Sequence, residues 1–203
     1  LTDRETTGGK ERDRERVAIH EMGHFITHVA HDLEEGMPLE AIKKKSTFIK
    51  VSTESIAQQG ALGYMLSTRP ENSLRSLSEL EQAIVELYGG LAAEEVFYGK
   101  HGVSLGATND IQKATALLRQ MIERASMYSD AKLDYSVFKD TQQDVLARIE
   151  AKSAECYARA VEAVRTHRDF VEGMKDVLMK QYILEKDEIF ERLESHLSEE
   201  CES

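Results

Sequence analysis

The sequence predicts a mainly helical domain with one small antiparallel sheet. Three observations carry that expectation. Apolar residues recur at three- and four-residue steps over long stretches, the mark of amphipathic helices. The 203 residues include only two prolines and no tryptophan, which favours long helices over a many-turned β-sandwich. Only two short segments are β-rich, and apolar residues make up 41% of the chain, as in ordinary globular domains.

Each element follows in order. Residues 1–13 are polar and charged and are expected to be a flexible lead-in. From Asp13 to about Glu35, the residues Ala18, Met22, Phe25, Ile26, Val29 and Leu33 form one apolar helical stripe. Beside it run His20, His24, Thr27, His28 and His31. Gly36 supplies a C-terminal cap and Pro38 blocks continuation. "STFIKVST" (46–53) and "ALGYMLS" (61–67) read as a hairpin joined by a polar segment. A helix then starts near Ser76, where Ser76 with Glu79, or Ser78 with Glu81, offers a capping box. Gly89-Gly90 inside that helix points to a close backbone approach. After the loop "GKHGVSLG", another helix begins with Asn109 as its expected N-cap. The last third reads as three helices, about 141–166, 169–180 and 186–197. Residues 14–130 form the expected core and 131–203 a helical part of the same domain.

Charge and cysteine usage narrow the partners. The formal charge is −11 and no basic stripe with interleaved aromatics occurs, so no nucleic acid is expected. Lys43-Lys44-Lys45 reads as a solvated surface. Cys156 and Cys201 make neither a disulfide framework nor a CxxC pair, which fits a reducing compartment. No apolar run reaches the roughly 20 residues that span a bilayer. No signal peptide opens the chain. It begins at Leu1 rather than Met, as expected for a processed or excised piece.

The chemistry concentrates in "VAIHEMGHFI", residues 17–26. His20 and His24 lie four apart, so a helix brings their Cβ atoms to about 5–6 Å on one face. Two imidazoles at that spacing can close on one zinc ion. Glu21 is rotated off the ligand line and is placed to take a proton from water. Zinc supplies the acidity, bringing the pKa of water near 7. A purely structural helix has little reason to put Glu21 there, because a buried unpaired carboxylate is costly. A catalytic zinc needs a third ligand. One straight helix cannot wrap three turns round one ion, so His28 and His31 read as partly exposed polar residues. Glu94, Glu95 and Asp110 remain, and the residues alone divide the third ligand evenly between the two regions.

"HEMGH", "ALGYML", "LYGGLAAEEVFYG" and "GATNDIQKATALLRQM" occur in the order and approximate spacing of the FtsH family, and the C-terminal "CYARAVEAVRTHRDFVEGM" continues the likeness. The sequence therefore resembles the peptidase domain of these ATP-driven zinc proteases of bacterial and organelle membranes. The resemblance implies His20, His24 and Asp110 as ligands of one Zn2+ per chain and Glu21 as catalytic base. Glu94 or Glu95 then orients a ligand histidine. Leu62, Gly63 and Tyr64 look like part of an edge strand to which an extended substrate adds. The resemblance also implies unfolded polypeptide substrates, a hexameric ring and an AAA+ ATPase module in cis if the chain is excised. The expected location is the reducing side of a membrane (cytoplasm, matrix or stroma), with tethering only through parts outside this chain.

Departures exist. No phosphate loop of the G-x-x-x-x-G-K-[ST] type occurs, which leaves an excised peptidase part and a stand-alone relative as alternatives. Ala125-Ser126 stand where the family usually has Trp-Gly, and the connector 128–140 is shorter than usual. Two rival readings are a non-catalytic assembly or adaptor subunit that keeps the fold and a helical protein with no metal.

Overall fold

The computed structural model describes residues 2–54, 63–68 and 74–202. Its elements are α1 (Thr2–Glu34), α2 (Leu39–Lys45), β1 (Phe48–Ser52), β2 (Tyr64–Ser67), α3 (Leu77–Tyr98), α4 (Thr108–Arg119), α5 (Gln142–Thr166), α6 (Arg168–Gln181), β3 (Ile183–Glu185) and α7 (Lys186–Glu202). The mainly helical class with a small antiparallel sheet is thus observed.

Helix α1 is the axis of the core. Its stripe residues Ala18, Met22, Phe25, Ile26 and Val29 are fully buried. Phe25 meets Phe48 of β1, Phe170 of α6 and Phe190 of α7 at ring-centroid distances of 5.1, 6.2 and 5.6 Å. One aromatic side chain thereby joins helix, sheet and C-terminal helices. Each such pair contributes about 0.5–1.5 kcal/mol beyond its buried area.

Glycines let α3 cross α1 at close range. A Cβ on Gly23 would lie 2.3 Å from the Gly89 carbonyl oxygen, and one on Gly89 would lie 2.5 Å from that of Gly23. The close approach expected at Gly89-Gly90 is therefore real. Ser76 and Glu79 form the capping box: Ser76 N donates to Glu79 Oε2 (2.7 Å) and Glu79 N to Ser76 Oγ (3.3 Å). Gly36, at φ +71°, ends the α1 turn as expected.

Four details differ from the sequence expectation. Helix α1 begins at Thr2, so residues 2–13 extend it where a loose lead-in was expected. Adding turns to an existing helix avoids the nucleation cost, and Glu, Arg and Lys are good helix formers. Helix α2 was not expected; within it Lys43 pairs with Asp187 and Lys45 with Asp32, while the basic run itself lies at the surface as expected. The hairpin gains a third strand, giving the order β2-β1-β3, with Val51 opposite both Met65 and Leu184. Asn109 does not cap α4. Ala107 occupies that position, because a 3-10 turn at Leu105–Ala107, capped by Ser104 Oγ, runs straight into the helix.

Candidate metal centre

Three side chains from two distant segments converge in the wall of an open cleft. His20 Nε2 and His24 Nε2 lie 3.2 Å apart. Asp110 Oδ2 is 3.6 Å from the first and 3.4 Å from the second. One ligand atom from each residue falls within 4.8 Å of the others, the span a single ion can bridge. His20 and His24 come from successive turns of α1, and Asp110 from the first turn of α4.

The outer ring nitrogens decide what this set can hold. His24 Nδ1 donates to the Glu86 backbone oxygen at 2.7 Å. His20 Nδ1 donates to Glu94 Oε1 at 3.0 Å. Each Nδ1 therefore carries a proton, and each ring, when neutral, turns its Nε2 lone pair inward. Two lone pairs and a carboxylate oxygen facing one another repel unless a cation lies between them. The donor set therefore fits a divalent metal such as zinc.

Electrostatics agree. Burial alone would lower the pKa of His20, but hydrogen bonds with Asp110 and Glu94 and the fields of Glu21 and Glu94 outweigh it and raise the value to about 9. Burial likewise opposes ionisation of Asp110, yet His20, His24 and Lys113 hold its carboxyl well below the usual range. The site attracts positive charge, and in the absence of metal a proton answers that demand.

Glu21 is 8% exposed and lines the same cleft. Burial raises its pKa, opposed by the two histidines and by a hydrogen bond from Met65 N, while the Asp110 charge adds to the rise. A carboxylate raised in this way is a stronger base than one in water. The Met65 contact ties it to β2. Gly63, just before that strand, allows the approach, since a Cβ there would lie 2.3 Å from Val17 Cγ1 and 2.8 Å from the Ser52 oxygen.

The cleft has a volume of about 1410 Å³ and is walled by α1, α3, α4 and the β2 edge. Gly63 and Tyr64 line it; Leu62 lies outside the described residues. Glu94 meets His20, whereas Glu95 accepts a hydrogen bond from Tyr157 OH at 2.6 Å and takes no part in the convergence. His28 contacts Ser46 Oγ and Glu86, and His31 is exposed, so neither joins it.

Sequence reasoning missed three contributors. A Cβ on Gly90 would lie 2.3–2.5 Å from atoms of the His20 ring, so only glycine leaves that ring its room. Ser104 and Arg16 hydrogen-bond Glu94. The double glycine and the four-residue step from Arg16 to His20 were the signals available.

A helical domain that aims two imidazoles and a carboxylate at one point, with a buried base beside an open cleft, has the architecture of a metal-dependent hydrolase. The comparison with known families gives the particular one. The chain belongs to peptidase family M41, whose family model matches residues 9–192. It is 30% identical to the ATP-dependent zinc metalloprotease FtsH of Thermotoga maritima, over 94% of this chain and 32% of that protein. It is 32% identical to FtsH 1 of Methylacidiphilum infernorum (91% and 30%) and 30% identical to FtsH of Cupriavidus metallidurans (92% and 29%). The chain thus spans about a third of the length of these curated relatives.

Proposed function

We propose that the chain is a zinc-dependent endopeptidase domain that hydrolyses peptide bonds in unfolded or extended polypeptides. The observation that carries this reading is the convergence of His20, His24 and Asp110 beside Glu21 in the cleft. His20, His24 and Asp110 would hold one Zn2+, leaving a coordination position open. Bound there, zinc supplies Lewis acidity that polarises a carbonyl and makes water acidic near neutral pH. Glu21 takes the proton from the attacking water and returns it to the departing amine. The outer edge of β2 offers backbone groups to an extended substrate, so the chain would read main chain more than side chains. Tyr64 and Met65 would lie along that substrate.

The relatives are named as ATP-dependent proteases, and this chain matches only part of their length. Under this proposal it serves as the proteolytic part beside an AAA+ ATPase module and works as a homo-hexamer. It faces a reducing compartment at a membrane to which other parts tether it. Among the described residues, no helix is long and apolar enough to cross a membrane.

The test is Glu21→Gln beside the parent protein, measuring casein hydrolysis and zinc content. Zinc should be retained and hydrolysis should fall by roughly 10²–10⁴-fold, the usual contribution of a general base. Undiminished hydrolysis would sink the mechanism. Zinc bound by the parent without turnover of any unfolded substrate would instead favour the non-catalytic assembly subunit.

A further inference from the structure

Glu94 is a hub as well as a partner of His20. Its carboxylate is 1% exposed and takes four hydrogen bonds. They come from His20 Nδ1 (3.0 Å), Arg16 Nη1 (2.7 Å), Ser104 N (2.8 Å) and Ser104 Oγ (3.0 Å). Arg16 is one turn before His20 on α1, and Ser104 is six residues before Asp110. One buried carboxylate therefore fastens both halves of the ligand set, which are about ninety residues apart in sequence.

Arg16 makes that hub tenable. A buried carboxylate without a cation is strongly penalised. With a metal on its Nε2 the His20 imidazole is a neutral donor, as is Ser104, and the guanidinium brings full positive charge. The same Nη1 also donates to the Gly102 oxygen (2.5 Å), and the guanidinium packs over the Tyr98 ring, 4.3 Å from its centroid. Arg16 thereby binds α1 to the end of α3 and to the loop that leads into α4.

We propose that Arg16 is a positioning residue of the metal site, acting through Glu94 to lock the His20 ring and the Asp110-bearing loop into one unit. The proposal rests on the zinc-site reading above. Arg16 also lines the cleft, so a direct contact with substrate is the competing role. The two roles differ in what they move. A positioning residue changes zinc affinity in the absence of substrate. A substrate contact raises KM and leaves zinc affinity alone.

The experiment measures zinc affinity of the 203-residue chain by chelator competition, with circular dichroism confirming the fold of each variant. Arg16→Gln is expected to weaken zinc binding by roughly 10–100-fold, the usual effect of losing a partner that supports a ligand. Arg16→Lys should recover most of that loss. If Glu94 transmits the effect, Arg16→Gln combined with Glu94→Gln should bind zinc no more weakly than Glu94→Gln alone. Ser104→Ala should act in the same direction with a smaller loss, and it carries the test if Arg16→Gln does not fold. Parent-like zinc affinity in Arg16→Gln, or effects that add in full to those of Glu94→Gln, would overturn the proposal while the parent still binds zinc. In the Ser104→Ala arm, parent-like affinity does the same. A parent that takes up no zinc overturns the metal-site reading itself, and this proposal with it.

Discussion

His20 and His24 share α1 with His28, and the three residues are evenly spaced at four-residue steps. The first pair converges on Asp110, whereas His28 does not. The difference lies in what the neighbouring elements offer. At His20 and His24 the outer nitrogens are engaged by Glu94 and the Glu86 backbone, which leaves both inner nitrogens aimed at a carboxylate. At His28, Ser46 Oγ hydrogen-bonds Nε2 (2.8 Å) and Glu86 Oε1 lies 3.2 Å from Nδ1, so neither nitrogen turns toward Asp110. Identical spacing on one helix gives a candidate metal site in one half and a hydrogen-bonded histidine outside it in the other. Residue type and period are therefore necessary for such a site, and partners from α3 and α4 complete it.

Substitutions can break this comparison. Among substitutions that leave the three proposed ligands in place, the largest effect on zinc is expected from Gly90→Ala, whose Cβ would lie inside the space of the His20 ring. Chelator competition should show a loss at least as large as the roughly 10–100-fold that follows removal of a supporting partner. Unchanged affinity would mean that the His20 ring does not need its present place. His28→Ala is the matched control. It should leave zinc affinity untouched and cost about 1–3 kcal/mol of stability in denaturant titration, because polar partners lose a bond. Zinc loss in that variant would erase the distinction between the two halves.

The pH dependence of the metal-free protein sharpens the same contrast. His20 has a folded pKa of about 9 against an ordinary 6.5. Its stabilising contribution is therefore complete below pH 6.5 and is lost as pH rises through 9. Glu94 runs the other way. Burial pushes its pKa up, but hydrogen bonds from His20, Arg16 and Ser104 pull it from 4.5 down to about 2. Its contribution is present above pH 4.5 and disappears as pH falls toward 2. Thermal unfolding across a pH series should show both slopes, and saturating zinc should flatten the alkaline one. A Tm independent of pH between 6.5 and 9 without metal would contradict the picture of His20.

The smallest effect comes from a glycine remote from the site. Gly173 lies within α6, and a Cβ there would meet nothing within 4 Å. Gly173→Ala should stabilise by roughly 0.5–1 kcal/mol through helix propensity and leave zinc binding unchanged. Set beside Gly90→Ala, it separates a glycine kept for space from one that is merely present.

Much of this was legible in the sequence because periodicity survives in one dimension. The α1 stripe, the Ser76–Glu79 box and the C-terminal helices were all anticipated within a few residues. Strand β3 was not, since three residues cannot display an alternation. Nor was the start of α4, where a 3-10 turn takes over the capping that Asn109 was expected to provide. At the site, His20, Glu21 and His24 announce themselves by spacing. Asp110 does not, because an acidic residue in the first turn of a helix is equally explained by the helix dipole. Resemblance to the family implies Asp110, and the approach of α4 to α1 brings its carboxylate beside the two histidines. The role of Arg16 depends on the fold of a loop some ninety residues away, which no local pattern encodes.

The central claim is that His20, His24 and Asp110 together hold one zinc ion. Elemental analysis of the purified parent and Asp110→Ala chains, after gel filtration, tests it most directly. The expected result is one zinc per parent chain and almost none in the variant. An Asp110→Ala chain that keeps its full zinc, or a parent that carries none, would contradict the account.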